Sequence, residues 1–176
     1  MPVTLSISLL GDRQLVAKLP RFAASLSDWR EFWDMVAEFL EARIEQSFAT
    51  EGRASGAGAW QALSLRYALW KGVHFPGQPI LQATGNMRGS LIERWHPQAF
   101  RRRTKSRFVF SSRNPLVDIH HRGKGDWLPA RPILVLTDTD KKAITTEAKK
   151  WVAMKQAQFG LASATSRFLI GRGMGF

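Results

Sequence analysis

The sequence predicts an α+β protein, a small antiparallel sheet covered by helices, with extended N- and C-terminal arms. Three features predict it. Val3 to Leu9 alternates apolar and small polar residues with the period of a strand. Asp28 to Phe48 carries large apolar residues at three- and four-residue steps, the mark of a helix with one buried face. Phe108-Val109-Phe110 and Leu116 to His120 are short strand-prone runs on either side of Asn114-Pro115. At 176 residues the chain is read as a single domain, with residues 1–27 as an N-terminal hairpin or arm, 28–159 as the core and 160–176 as a C-terminal tail. Its 7 Trp and 11 Phe supply enough apolar material for a core without covalent staples.

In chain order, Val3, Leu5, Ile7 and Leu9 share one side of a first strand, for which an extended arm is the alternative. Gly11-Asp12 signals a turn, after which Gln14 to Leu19 pairs back as a hairpin until Pro20 stops it. Asp28 with Glu31 fits a cap and third-position pair at a helix start. Trp29, Phe32, Trp33, Val36, Phe39, Leu40 and Ile44 then form a broad apolar face, while Glu31, Asp34, Glu38, Glu41 and Glu45 lie mostly elsewhere on the helix. Glu51 to Ala59 reads as a flexible loop by composition; a phosphate-binding loop is discarded, because its glycines lack the lysine-serine or lysine-threonine ending and no strand precedes them. Trp60 to Gly72 is a short helix or an irregular aromatic segment, anchored by Trp60, Leu63, Leu65, Tyr67, Leu69 and Trp70.

Pro79 to Ile92 reads as two short helical pieces meeting at Thr84-Gly85, where glycine supplies a positive φ. Arg101-Arg102-Arg103-Thr104-Lys105-Ser106-Arg107 is the densest charge cluster and is expected as an exposed loop. Phe108-Val109-Phe110 then makes a strand, Asn114-Pro115 a turn, and Leu116 to His120 the partner strand. Pro132 to Leu136 is an apolar, β-rich run entered through Pro129 and Pro132. Thr137 to Asp140 offers several caps for a helix from about Lys141 to Phe159, ended by Gly160. Leu161 to Phe176 has no acidic residue, and its apolar centre Phe168-Leu169-Ile170 is either disordered or docks on another subunit.

The net charge of +12 is unevenly spread. Residues 1–52 hold 5 Lys+Arg and 8 Asp+Glu, whereas residues 53–176 hold 21 and 6. Such an excess favours a polyanion or an acidic protein surface as partner. Arg101, Arg102, Arg103, Lys105 and Arg107 are the residues predicted to make that contact, as a solvated hairpin arm or as a binding element. Contact with nucleic acid would be limited to the phosphate backbone and sensitive to salt. The absence of cysteine excludes disulfides, thiolate metal sites and a cysteine nucleophile. No apolar run approaches the roughly 20 residues of a membrane span, and Met1 to Leu10 lacks the basic leader of a signal peptide. A soluble, non-exported protein is expected.

His120-His121 is a poor chelating pair, since neighbours on a strand point to opposite faces. Neither a nucleophile elbow, nor paired carboxylates, nor a dinucleotide fingerprint stands in the sequence, so neither an enzyme nor a cofactor is expected. Arg131, held between Ala130 and Pro132, is placed to clamp carbonyls or a carboxylate with its planar fork.

Certain residues recur in a particular order: Trp60 and Leu63, Lys71, Leu81 with Thr84-Gly85, Met87 and Ser90, then Ile119-His120 and Gly123, then Pro129-Ala130-Arg131-Pro132 with Leu134 and Asp140. From about Phe48 to Trp151 this pattern resembles the phage virion morphogenesis or tail-completion family of Mu-like phages, with Met87 in place of the usual leucine. The resemblance implies a tail-terminator-like fold and a non-enzymatic structural protein of the virion neck or tail, assembled in the host cytoplasm. It implies action in tail completion and head–tail joining as a ring of the protein's own copies, often hexameric in related proteins. Tail-tube and head–tail connector proteins would be its neighbours, with DNA passing through the ring. The arginine cluster would face an acidic tail surface or that DNA, and Phe168, Leu169 and Ile170 would reach between subunits. A basic module that contacts phosphate backbones is the other reading of the charge.

Overall fold

A computed structural model describes residues 13–161. The element order is α1 (Arg13–Leu26), α2 (Arg30–Ala49), α3 (Leu65–His74), α4 (Asn86–Ile92), β1 (Ala99–Arg103), β2 (Phe108–Ser112), α5 (Pro115–Arg122) and α6 (Asp138–Gln158). The class is α+β, helices with one two-stranded antiparallel sheet among the described residues. The described residues divide into two compact units, Trp29–Thr146 and a second made from those before Trp29 with those from Glu147 onward. The predicted strand at Val3 to Leu9 and the Phe168-Leu169-Ile170 segment lie outside the described residues.

In the larger unit, α2 supplies Ile44 and Phe48 to a core completed by Trp60, Met87, Leu91 and Ile133. Ile80, Leu81, Phe110 and Val117 pack against it. A second aromatic cluster lies toward the start of α2, where Trp29 meets Phe32 edge-on at 5.3 Å and Trp33 stacks on Phe108 at 6.1 Å. In the smaller unit, Phe22 of α1 meets Phe159 edge-on at 5.9 Å.

Several elements depart from expectation. Gln14 to Leu19 does not pair back as a strand but lies within α1, which continues through Pro20. Leu15, Leu19, Phe22 and Leu26 recur at helical steps, and the proline removes one backbone donor without ending the helix. α2 begins at Arg30 with Trp29 at its cap position, one residue after the predicted Asp28. Leu116 to His120 is not a strand, because Asn114 and Pro115 start a helix instead. The Asn114 side chain accepts from the Leu116 N–H at 3.0 Å, and Pro115 fills the first helical position, where a missing N–H costs nothing.

The partner of Phe108–Ser112 is the arginine run itself. Arg101 to Arg103 belongs to β1, with Arg101 opposite Phe110 and Arg103 opposite Phe108. Thr104 closes the turn, its N–H donating to the Arg107 carbonyl at 2.8 Å and its hydroxyl accepting from the Arg107 N–H at 3.0 Å.

Of the two pieces predicted at Pro79 to Ile92, the first is a turn in which the Gln82 N–H reaches the Pro79 carbonyl at 3.1 Å. The second is α4, entered through Gly85 at φ 72°. Pro132 to Leu136 forms no strand, since Pro132 has no N–H to give and the Ile133 N–H donates to the His121 imidazole at 3.2 Å. The Val135 N–H donates to the Ser55 carbonyl at 2.7 Å.

That bond also revises the Glu51–Ala59 loop. Ser55 is fully buried, the Gly52 N–H bonds Ser47 at 2.8 Å, and the Trp60 N–H bonds Glu51 at 2.8 Å. The glycines allow close packing here. A Cβ on Gly56 would stand 2.2 Å from the Val135 carbonyl oxygen.

α6 starts at Asp138, three residues before the predicted Lys141. Thr137 and Asp140 satisfy one another, Asp140 N–H to the Thr137 hydroxyl at 3.2 Å and Thr137 N–H to the Asp140 carboxylate at 3.0 Å. This is the reciprocal box that caps a helix start.

Candidate partner-binding surface

On α2, the carboxylates Asp34, Glu38, Glu41 and Glu45 recur at steps of four, three and four, which aligns them along one side of the helix. Four arginines meet that line, Arg88 from α4, Arg94 from the loop after it, and Arg101 and Arg103 from β1. Arg103 pairs with Asp34, Arg94 with Glu38 at 3.1 Å and Glu41 at 3.3 Å, Arg101 with Glu41 at 3.6 Å, and Arg88 with Glu45. The acidic excess of the N-terminal third is thus matched within the fold.

Arg101 is the most embedded of the four. Its guanidinium lies 3.5 Å from the centroid of the Phe110 ring and donates to the Ser111 carbonyl at 2.7 Å and to the Leu91 carbonyl. Burial lowers its pKa, an effect partly offset by Glu41, yet the group stays charged at neutral pH. Of the predicted contact residues, Arg101 and Arg103 are therefore tied to α2. Arg102, Lys105 and Arg107 are exposed on the other side of β1 and at the turn.

Of the residues that carry the family resemblance, Trp60 and Met87 belong to the core and Leu81 and Leu134 pack against it. The Trp60 indole donates to the Pro132 carbonyl at 2.7 Å. Arg131 is buried and donates to the Gln61 and Ala62 carbonyls at 2.9 and 3.1 Å, while its backbone N–H reaches the His120 carbonyl at 2.7 Å. Ser90, fully buried, donates to the Met87 carbonyl and accepts from the Ser112 hydroxyl, both at 2.7 Å. Leu81 packs on the core at φ 62°, Thr84 accepts from the Asn86 N–H at 3.4 Å, and Gly85 opens α4. Pro129 is half-buried beside them.

Gly123 ends α5 at φ +77°, where a Cβ would lie 2.7 Å from the Ala130 nitrogen. A Gly123→Ala variant should lose about 2 kcal/mol or more, through positive-φ strain plus a backbone clash. Chemical denaturation measures it, and an unchanged midpoint would contradict the geometry.

Burial holds the His120 imidazole below its ordinary pKa, and the nearby Arg131 cation pushes it in the same direction. A depressed histidine favours the folded state fully above the unfolded value of about 6.5, and this contribution fades as pH falls below it. The urea midpoint should drop between pH 7.5 and 5.5, and the drop should be smaller in His120→Gln. Equal slopes in the two proteins would dismiss the role of His120.

The Asp140 carboxyl shows the opposite balance. Burial alone would raise it, but the Thr137 hydroxyl and N–H and the Arg43 guanidinium at 2.9 Å together hold it below the usual carboxylate range.

The apolar pattern at Trp60 to Gly72 divides in two. Trp60 is buried, but Leu65, Tyr67, Leu69 and Trp70 face solvent on α3 and do not anchor the core. Lys71 is the buried residue of that helix, its ammonium donating to the Pro79 carbonyl. Burial lowers the Lys71 pKa, and the Glu51 carboxylate partly restores it. Trp95 and Trp127 are also exposed, at 95% and 70%. Hydropathy spacing cannot separate a face that meets the core from one that meets another molecule; the lysine in the middle of α3 was the available signal.

Among the described residues no group of three or more His, Cys, Asp and Glu could hold a metal ion, and no helix is long and apolar enough to cross a membrane. The arrangement offers exposed cations, exposed tryptophans and an exposed apolar helix on a tightly bonded frame. No curated protein and no solved structure matches the chain. The sequence model of the phage virion morphogenesis family matches residues 10–153, which takes in all eight elements except the last residues of α6. A match over that span shows that the chain belongs to the phage virion morphogenesis family and has a structural, assembly role in the phage particle.

Proposed function

We propose that the chain is a non-enzymatic component of the virion neck or tail that completes the tail and joins it to the head as a closed ring of identical copies. The observation that carries this reading is the family match over residues 10–153. In keeping with it, the side chains of Trp60, Ser90 and Arg131 are bonded to carbonyls and to a neighbouring hydroxyl within the fold. Closure into a ring needs heterologous interfaces, in which different patches of neighbouring copies meet. Tail-tube and connector proteins are the partners of such a ring, and Arg102, Lys105 and Arg107 are exposed cations free to meet them or DNA in its passage.

Deleting the gene and complementing it with a tagged copy tests the proposal. The deletion should leave heads and tails unjoined under the electron microscope. The purified protein, or protein recovered from particles, should show a ring with a central hole. Normal infectious particles without the polypeptide would end the proposal. A salt-dependent shift of duplex DNA by a monomer, with no particle defect, would favour the nucleic-acid module.

A further inference from the structure

α3 is an amphipathic helix turned outward. Leu65, Leu69 and Val73 are 77%, 65% and 79% exposed and follow one another at steps of four. Beside this aliphatic ridge runs an aromatic one, with Tyr67 stacked on Trp70 at 5.5 Å and Trp70 on His74 at 4.5 Å. The two ridges sweep about 200° of the helix surface at 100° per residue, and Arg66 stands between them. Ser64, Arg66, Tyr67 and Trp70 line a shallow depression of about 290 Å³. The helix is held from the opposite side by the buried Lys71 and its bond to Pro79, so the ridges are presented on a fixed support. A contiguous apolar surface of this kind marks an interaction site.

Charge selects the occupant. Residues 53–92 contain no carboxylate at all, while Arg53, Arg66, Lys71 and Arg88 lie within them. Arg66 makes no ion pair among the described residues. A second copy of this chain is a poor complement. It carries a net charge of +12, and most of its described carboxylates (Asp34, Glu38, Glu41, Glu45, Asp118, Asp138, Asp140 and Glu147) are already paired with its own cations, which leaves Glu93 and Asp126 exposed outside those pairs. We infer that α3 docks an acidic, apolar segment of a different protein of the particle, with apolar side chains between the two ridges and a carboxylate on Arg66. This rests on the reading that the chain works by binding other virion proteins, and it assigns the surface and the chemistry of one such partner.

The test replaces Leu69 with a benzophenone-bearing amino acid in the full chain and irradiates particles assembled with it. The cross-linked peptide should come from another virion protein and carry net negative charge. Its yield should fall at least tenfold with Arg66→Glu and should fall with rising salt during assembly. Leu65→Ser/Leu69→Ser/Val73→Ser changes only exposed positions, so the helical circular dichroism should be kept while incorporation into particles drops. Cross-links to this chain itself, to nucleic acid or to an uncharged or basic segment would overturn the inference. So would the lack of any cross-link in particles that contain the protein. Particles that never contain the protein would instead overturn the virion role itself.

Discussion

Replacing Trp60 by alanine should cost about 3–5 kcal/mol, the range for removing a large aromatic side chain from a packed core. Trp60 is 6% exposed, meets Phe48 edge-on at 5.4 Å, and bonds the Pro132 carbonyl at 2.7 Å. It therefore joins α2 to the irregular segment before α6, two regions that share no sheet or helix. Trp60→Phe should cost less, roughly 1–3 kcal/mol, because it leaves that carbonyl unpartnered but keeps most of the ring contact. Gly52→Ala attacks the same contact from the other side. Its φ is +90° and an added Cβ would stand 2.4 Å from the indole Cδ1. The double variant Gly52→Ala/Trp60→Ala should lose less than the sum of the two, since the smaller side chain removes the clash. Urea unfolding monitored by circular dichroism measures all four proteins. A Trp60→Ala midpoint close to the parent, or strict additivity in the double variant, would contradict the contact.

The Trp60 contact shows what was legible in the sequence. The tryptophan was expected as an anchor, and the helix at Arg30–Ala49 followed from the spacing of its apolar residues. The positive φ of Gly85 followed from the Gly-Asn break. These features are local, and the physics that sets them acts within one or two turns of chain. What escaped depended on distant partners. The glycines at Glu51 to Ala59 suggested mobility, but a backbone 80 residues downstream packs against them, and only Gly permits that approach. Asn114-Pro115 was read as a turn, but the cap bond from Leu116 to the Asn114 side chain starts a helix there. Pro132 to Leu136 was rich in β-prone residues, yet its neighbours offered no strand edge to join.

The acidic residues of α2 were visible as charges but not as a ladder. Their three- and four-residue spacing was present in the sequence, but it was read only as the polar side of the helix. The arginines that meet them are 43 to 69 residues away, beyond the reach of any pattern read along the chain. As a result the charge cluster at Arg101 to Arg107 resolves into two kinds of arginine. Alternation along β1 turns Arg101 and Arg103 toward α2 and Arg102 away from it.

That division predicts opposite outcomes for neighbouring residues. Arg101→Ala should destabilise the protein by about 3 kcal/mol, because two carbonyls lose a charged donor and the Phe110 ring loses its cover, while Glu41 keeps only Arg94. The Arg101 and Glu41 side chains are each only 14% exposed, and the same guanidinium serves the Ser111 and Leu91 carbonyls and the Phe110 ring. For a unit of this size the melting temperature should fall by roughly 10 °C. Arg101→Lys should recover little of it, because a point charge cannot bond the carbonyls of two elements and cover an aromatic face together. The pair Arg94–Glu38, with both side chains largely in solvent, should matter far less, within about 1 kcal/mol. By contrast, Arg102→Glu/Lys105→Glu/Arg107→Glu changes exposed residues with no ion pair among the described residues, and stability should stay within about 0.5 kcal/mol per site. Its effect should appear instead in the joining of heads to tails. Reversal at Arg101 or Arg103 would confuse the two, since a folding defect also abolishes assembly. Thermal melts of the triple variant beside an assembly assay separate them. A stable triple variant that still forms infectious particles would remove these three cations from the partner surface, while a stable Arg101→Ala would remove Arg101 from the frame.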